Sequence, residues 1–172
     1  MNLQSTDFEL FGIPKQFVQD RTYIDARWKE LQYEAHPDKF AAHGLAAQRI
    51  AMQWSVRINE AYLRLKDPLK RASYLCELHG APINAENNTA MPVDFLMQQM
   101  QWRESLHEAE NFDDLNKILR EARFFENEQL LKIEQALDGR NDFEAAAQQV
   151  RSLMFIERFA CEVTARIDQL EF

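Results

Sequence analysis

The sequence predicts an all-α protein in which an N-terminal helical hairpin precedes a C-terminal three-helix bundle. Only four glycines and five prolines occur in 172 residues, whereas residues of high helix propensity such as Leu, Ala, Glu, Gln and Arg are abundant. Apolar residues also recur at spacings of three and four, the period of a helix with one buried face. We expect an N-terminal domain at 1–80, a linker at 81–92 and the bundle at 93–172.

Three helices are predicted in the first 66 residues. A short helix covers residues 6–11 and ends at Gly12. The second helix has a candidate capping box in Thr22 and Asp25 and runs to residue 35. The third spans residues 45–66. One apolar face is predicted on each of the two longer helices, formed by Ile24, Trp28, Leu31 and Ala35 on the second and by Ala47, Ala51, Trp54, Ile58, Ala61 and Leu65 on the third.

The remaining helices have readable boundaries. Asp67 is the expected N-cap of a fourth helix, with Pro68 at its first position and Gly80 after its end. Residues 81–92 contain two prolines and three asparagines without helical periodicity, which favours a linker. Three longer helices follow at about 93–109, 112–137 and 143–170, and their short connections predict that they fold back on one another.

Composition excludes several classes of function. A net charge of −8 argues against a protein that binds the phosphate backbone of nucleic acids. No apolar run approaches the roughly 20 residues that cross a bilayer, and the N-terminus lacks the pattern of a signal peptide, so we expect a cytoplasmic protein. Cys76 and Cys161 are predicted to be buried, reduced thiols. Cys76 and His79 supply only half of a metal site, so neither metal nor cofactor is predicted.

His36, Pro37 and Asp38 lie between the two long N-terminal helices. Because Pro37 lacks a backbone donor and disfavours helical geometry in its predecessor, the helix must stop by about His36. The imidazole and the carboxylate should then face solvent as a contact for another protein. Two alternatives are a plain helix stop and a catalytic pair. The second is disfavoured because no serine or cysteine nucleophile lies nearby in the sequence.

Two helices of the C-terminal region carry more apolar residues than a bundle core requires. In the helix near Val93 one stripe is formed by Phe95, Trp102, Leu106 and Ala109, and another by Val93, Leu96, Met97 and Met100. A bundle needs one inward stripe from each helix, so one is surplus. In the last helix Phe155 falls about 200 degrees from the core position Leu153, which predicts an exposed phenylalanine.

The first region resembles a J-domain, the module by which co-chaperones stimulate DnaK-class ATPases. The residues that carry this resemblance are His36, Pro37, Asp38, Lys39 and Phe40, with Trp28 and Leu31 before them and residues 58–62 after them. The chain further resembles the HscB family, the co-chaperones of iron-sulfur cluster biogenesis. This resemblance is carried by residues 67–80, by the run of Phe95, Leu96 and Met97, and by the terminal bundle. This resemblance covers nearly the whole chain and includes the lack of a Gly/Phe-rich linker and of zinc-binding cysteines.

The resemblance implies a non-enzymatic co-chaperone with two protein partners. An HscA-like chaperone of the DnaK class would contact His36, Pro37 and Asp38, with Arg27 and Lys29 of the second helix. General J-domains have a strongly basic second helix. Here Asp25, Glu30 and Glu34 accompany the two cations, which favours a dedicated chaperone.

The second implied partner is an IscU-like iron-sulfur scaffold protein. Its binding patch would consist of Leu96, Met97, Met100 and Phe155, with Glu104 at the polar rim; flexible methionines suit such a surface. The family pattern leads us to expect charged residues where Gln101 and Met154 stand. Two alternative functions are a J-domain adaptor for a different client and a structural helical subunit that oligomerises through the apolar stripes.

Overall fold

The computed structural model describes residues 2–86 and 90–170. Within these residues the chain forms seven α-helices and no strand, which confirms the all-α prediction. It divides into two compact units, Met1–Leu75 and Cys76–Phe172. The helices are α1 (Asp7–Phe11), α2 (Arg21–Glu34), α3 (Leu45–Lys66), α4 (Pro68–Leu78), α5 (Val93–Glu108), α6 (Phe112–Glu134) and α7 (Phe143–Leu170).

Helix α2 begins after an aspartate cap. The Asp20 carboxylate accepts hydrogen bonds from the backbone N–H groups of Thr22 and Tyr23 at 2.9 and 3.4 Å. The predicted capping box of Thr22 and Asp25 is therefore wrong, because a stronger cap lies two residues earlier. Asp25 instead accepts a 2.9 Å hydrogen bond from Arg21, and this bond is the main reason that the pKa of Asp25 lies below its usual value.

Helices α2 and α3 pack as the predicted hairpin. Trp28 stacks on Tyr62 with ring centroids 4.5 Å apart, and its indole N–H donates to Asn59 Oδ1 at 3.0 Å. Both predicted apolar faces point inward, although Trp28, Ala35, Ala47 and Trp54 remain half-buried. The hairpin core consists of Ile24, Leu31, Ala51, Ile58, Ala61 and Leu65.

A buried carboxylate fastens α1 to α3. Asp7 is 0% exposed and accepts hydrogen bonds from Arg64 Nε and Nη2 at 2.6 and 2.9 Å. Arg57 Nη1 lies 2.8 Å from the same carboxylate. The two cations offset the desolvation cost of the buried charge. Their contacts with Asp7 hold the N-terminal segment on the hairpin.

The start and end of α4 agree with the sequence. The Asp67 carboxylate accepts from the N–H groups of Leu69 and Lys70 at 2.9 and 3.2 Å, which confirms it as the cap before Pro68. Gly80 has a φ of 77°, a left-handed conformation that favours glycine after a helix. The border between the two units falls within this helix.

The segment after α4 is held by an arginine of the second unit. Arg151 is 5% exposed, and its guanidinium donates to the carbonyl oxygens of Ile83 at 2.9 Å, Ala90 at 3.3 Å and Pro82 at 3.5 Å. Ile83 is itself buried at 4% exposure. Pro82, Ile83 and Ala90 therefore have defined contacts with Arg151, while the role of 81–92 as a functional linker stays a prediction.

Helices α5, α6 and α7 surround an aromatic core in the second unit. Trp102 stacks on Phe159 with centroids 5.3 Å apart. Helix α6 ends at Glu134 and continues as a π-helical turn to Gly139, slightly short of the predicted α-helical end. Other members of the aromatic core are Leu115, Ile118, Ala122, Ile156, Ala160 and Val163.

The two cysteines differ in exposure. Cys76 is buried but Cys161 is exposed, so the prediction of a buried Cys161 is wrong.

Candidate functional site

His36, Pro37 and Asp38, which we call the exposed turn, lie where α2 gives way to a 3-10 helix at Pro37–His43. His36 is extended, with φ −64° and ψ 126°, as a residue before proline should be. Its side chain is 57% exposed and that of Asp38 is 92% exposed. The predicted solvent exposure of both groups is therefore confirmed.

The imidazole of His36 is oriented by the turn itself. Its Nδ1 accepts a hydrogen bond from the backbone N–H of Asp38 at 3.3 Å and lies 3.7 Å from Asp38 Oδ2. A neutral imidazole whose Nδ1 accepts must carry its proton on Nε2. The exposed turn thus presents a hydrogen-bond donor and a carboxylate acceptor side by side, a pattern suited to a charged partner surface.

Two residues outside the predicted contact set hold this turn against α2. Lys39 Nζ lies 3.2 Å from the ring centroid of Tyr33, a cation–π contact across the proline. Tyr33 lies in the last turn of α2, and Lys39 follows the exposed turn directly. The available signal was an aromatic residue and a cation six positions apart on either side of a helix stop, which is too common a pattern to be diagnostic.

Arg27 and Lys29, the predicted basic contacts on α2, do not form one surface. They are two positions apart, which places them about 200 degrees apart around the helix. Arg27 is half-buried and pairs with Glu30 at 3.1 Å, whereas Lys29 is exposed. Of the two, Lys29 is the cation that a partner can reach.

An apolar groove of about 370 Å³ lies beside the exposed turn within the first unit. Glu34 is the only charged residue in its lining, at the end of α2. Ala35, the C-cap of α2, also lines the groove. Phe40, which follows the exposed turn, and Ile50 and Trp54 of α3 also line the groove.

Helix α5 has the surplus apolar stripe that its sequence predicts. Phe95, Trp102 and Leu106 are buried, so the first stripe belongs to the core. The second stripe is exposed, at 72% for Val93, 42% for Leu96, 62% for Met97 and 73% for Met100. Glu104 is also exposed and lies on the same side, seven residues after Met97 and four after Met100.

Phe155 on α7 is half-buried, so the prediction of an exposed phenylalanine is only partly confirmed. Its ring packs edge-on against Phe95 at 5.9 Å and parallel to Phe159 at 6.3 Å. Arg103, which the sequence did not single out, lies with its guanidinium carbon 5.6 Å from the Phe155 ring centroid and donates to Glu162. Phe155 therefore contacts α5 through Phe95, which directly precedes Leu96 of the exposed stripe.

Comparison with known proteins gives the family. The HSCB C-terminal oligomerisation domain matches residues 91–164. The co-chaperone protein HscB homologs of Burkholderia multivorans and Burkholderia thailandensis are 51% and 47% identical to this chain over 174 residues, covering 99% of each sequence. The chain belongs to the HscB family of co-chaperones.

Solved structures of HscB proteins have the same fold. Chaperone HscB from Vibrio cholerae is 34% identical, with a TM-score of 0.82 over 96% of this chain and 99% of that one. The human co-chaperone protein HscB is 25% identical, with a TM-score of 0.89 over 96% of this chain and 84% of that one. The HscB matches span both the exposed turn and the stripe of α5, and a co-chaperone implies a chaperone partner.

Two further observations bear on the chemistry of this HscB-family chain. Within residues 2–86 and 90–170, no group of three or more His, Cys, Asp or Glu side chains is arranged to hold a metal ion. None of the helices that the structure describes has the length and apolar character of a membrane span.

Proposed function

We propose that this HscB-family co-chaperone binds an IscU-like iron-sulfur scaffold protein, delivers it to an HscA-like chaperone of the DnaK class in the cytoplasm, and stimulates the ATPase of that chaperone. Maturation of iron-sulfur proteins is the outcome. Residues 1–80 act as a J-domain and residues 93–172 as the client-binding bundle, joined by residues 81–92. The observation that carries the proposal is the presence of two separate exposed surfaces, one polar in the first unit and one apolar in the second.

The exposed turn supplies the stimulation without performing chemistry. A ligand shifts a conformational equilibrium only by its differential affinity for the two states. In our proposal Asp38 pairs with an arginine of the chaperone in the state that hydrolyses ATP, and His36 donates from Nε2 beside it. A charge-assisted hydrogen bond contributes roughly 1.5–3 kcal/mol, which is enough for about a tenfold bias. Lys29 adds a longer-range attraction, and Arg27 contributes less because Glu30 neutralises it.

The client patch consists of Leu96, Met97, Met100 and Phe155, with Glu104 at its rim. Unbranched thioethers adapt to the shape of a partner, and an exposed apolar stripe with a polar edge is typical of a protein interface. Phe155 gives the patch a rigid aromatic floor because Phe95 and Phe159 hold its ring. Truncating such a central aromatic anchor is expected to cost more than truncating a rim residue.

Separate loss of the two activities tests the proposal. ATP hydrolysis by the purified chaperone is measured in a single turnover, with and without the scaffold protein. His36→Gln should abolish stimulation and leave scaffold binding intact, whereas His43→Gln, at the other end of the same 3-10 helix, should change neither. Normal stimulation by His36→Gln would contradict the assignment of the exposed turn as the chaperone contact.

The client surface is tested with residues that do not support the core. Met97→Ala combined with Met100→Ala should lower scaffold affinity at least tenfold in calorimetry while stimulation by the co-chaperone alone persists. Phe124→Ala, an equally exposed apolar truncation on α6 at 59% exposure, serves as the matched control. Absence of scaffold binding by the unaltered chain at tens of micromolar would instead favour an adaptor for a different client.

A further inference from the structure

Helix α3 carries an apolar stripe on its outer face that the hairpin core does not use. Leu45, Met52, Val56 and Leu63 are 74%, 56%, 52% and 46% exposed. At 100 degrees per residue these positions lie within about 40 degrees of one another, and they extend for about 27 Å at 1.5 Å per residue. The opposite face of α3 supplies the buried residues of the core, so this stripe is unpartnered within the first unit.

Two charged residues flank the stripe on one side. Arg49 lies about 40 degrees and Glu60 about 60 degrees from the line through Leu45, in the same rotational sense. Both side chains are exposed, and neither makes an ion pair with any residue that the structure describes. Glu60 attracts the Arg64 guanidinium four residues later, but that guanidinium is hydrogen-bonded to Asp7, and Arg57 is also paired with Asp7.

The stripe and its charges are arranged nearly symmetrically along the helix. Leu45 and Leu63, like Met52 and Val56, are equidistant from position 54, and Arg49 and Glu60 are equidistant from a point half a residue further on. A twofold axis perpendicular to two antiparallel α3 helices keeps each flank on the same side. It would place Leu45 against Leu63 of the partner subunit, and Arg49 against Glu60 of the partner subunit. A parallel pair would put this flank of the two helices on opposite sides of the interface, so that Arg49 and Glu60 would not meet across it.

We propose that two copies of the chain associate antiparallel through this α3 stripe. The apolar line supplies the contact area, and two symmetry-related Arg49–Glu60 pairs set the direction and register, as flanking charges do in coiled coils. The surface is distinct from the exposed turn and from the client patch. The proposed contact lies in the first unit and is separate from the C-terminal region at residues 91–164 that matches the HSCB oligomerisation domain.

Charge reversal in the full-length chain tests the pairing. Sedimentation equilibrium from micromolar to millimolar concentration should show the unaltered chain approaching two copies per particle. Arg49→Glu and Glu60→Arg should each raise the dissociation constant at least tenfold, because both place like charges together. The double variant should restore the original value. Arg120→Glu, a reversal at an exposed arginine on α6, should leave it unchanged.

Cross-linking tests the direction. In a Cys161→Ser background, chains with Met52→Cys are mixed with chains with Val56→Cys and oxidised with glutathione disulfide. The antiparallel pair predicts a mixed disulfide between the two variants and little of either like pair. Dominant like pairs would overturn the arrangement. So would a chain that stays monomeric throughout the series, or self-association that is insensitive to both charge reversals, which would locate the contact elsewhere.

Discussion

Lys39 places its ammonium group 3.2 Å from the centre of the Tyr33 ring. The cation follows Pro37 in the chain and the aromatic ring precedes it, so the contact spans the proline. Tyr33 is 69% exposed, and little else fixes its ring. The contact closes the corner between α2 and the 3-10 helix, with His36, Pro37 and Asp38 at its apex. It is therefore a positioning contact for the exposed turn.

Removing this contact should weaken chaperone stimulation in a graded way. An exposed cation–π contact contributes about 0.5–1 kcal/mol, so Tyr33→Ala and Lys39→Ala should each raise the co-chaperone concentration for half-maximal stimulation by about two- to fivefold. Tyr33→Phe and Lys39→Arg keep the interaction and should restore most of the loss. Tyr23→Ala, at an exposed tyrosine near the start of α2, is the control. Equal effects of Tyr33→Phe and Tyr33→Ala would point to the hydroxyl group instead.

Lys29 and Arg27 should differ in their contribution to chaperone encounter. Lys29 is exposed, whereas Glu30 already neutralises Arg27 at 3.1 Å. At low ionic strength Lys29→Ala should lower the association rate with the chaperone more than Arg27→Ala does, and the difference should shrink as salt is added. Stopped-flow binding across a salt series measures this. A larger effect at Arg27 would contradict the pairing with Glu30.

The buried carboxylate of Asp7 should be important for the stability of the first unit. Asp7→Asn leaves two arginines facing a neutral group, and breaking a buried pair costs about 3–5 kcal/mol. We expect about 3 kcal/mol, because the Arg64 side chain keeps 39% exposure. Urea unfolding monitored by circular dichroism checks the value, with Asp38→Asn as the same substitution at an exposed site and an expected change under about 0.5 kcal/mol. Equal stabilities would show that the pairing contributes nothing.

The two cysteines should differ sharply in reactivity. Burial raises the pKa of Cys76 to about 12, and Cys161 is exposed, so a thiol reagent should modify one equivalent in the native chain and two in denaturant. Cys161→Ser should show none in the native state. Because the folded pKa of Cys76 exceeds its unfolded value of about 9, its contribution to stability is complete below pH 9 and declines as the pH rises toward 12. Rapid native labelling of Cys76 would contradict this.

Much of the architecture follows from local rules that the sequence displays openly. Asp67 and Pro68 started a helix as predicted because cap and first-turn chemistry depend only on neighbouring residues. The prediction of a Thr22 and Asp25 capping box was wrong because Asp20, two residues earlier, caps the helix instead. The exposure of Met97 and Met100 could be predicted from the excess of apolar stripes over core positions.

The rest of the candidate site depends on contacts distant in sequence. Nothing near Phe155 indicates that Phe95, 60 positions earlier, covers part of its ring, or that Arg103 lies over it. Helical periodicity gives the angle of a residue around its own axis but not the depth at which a neighbouring helix meets it. For the same reason Cys161 could be assigned to α7 but not to its exposed side.

Arg151 has a practical consequence for anyone who wishes to study the client-binding bundle in isolation. Its guanidinium is inside the fold and bound to main-chain oxygens at positions 82, 83 and 90. A fragment that starts at α5 would strip away all three acceptors and strand a cation in an apolar setting. Truncations should therefore retain the stretch from position 76 onward, since the carbonyl groups at positions 82, 83 and 90 solvate that charge.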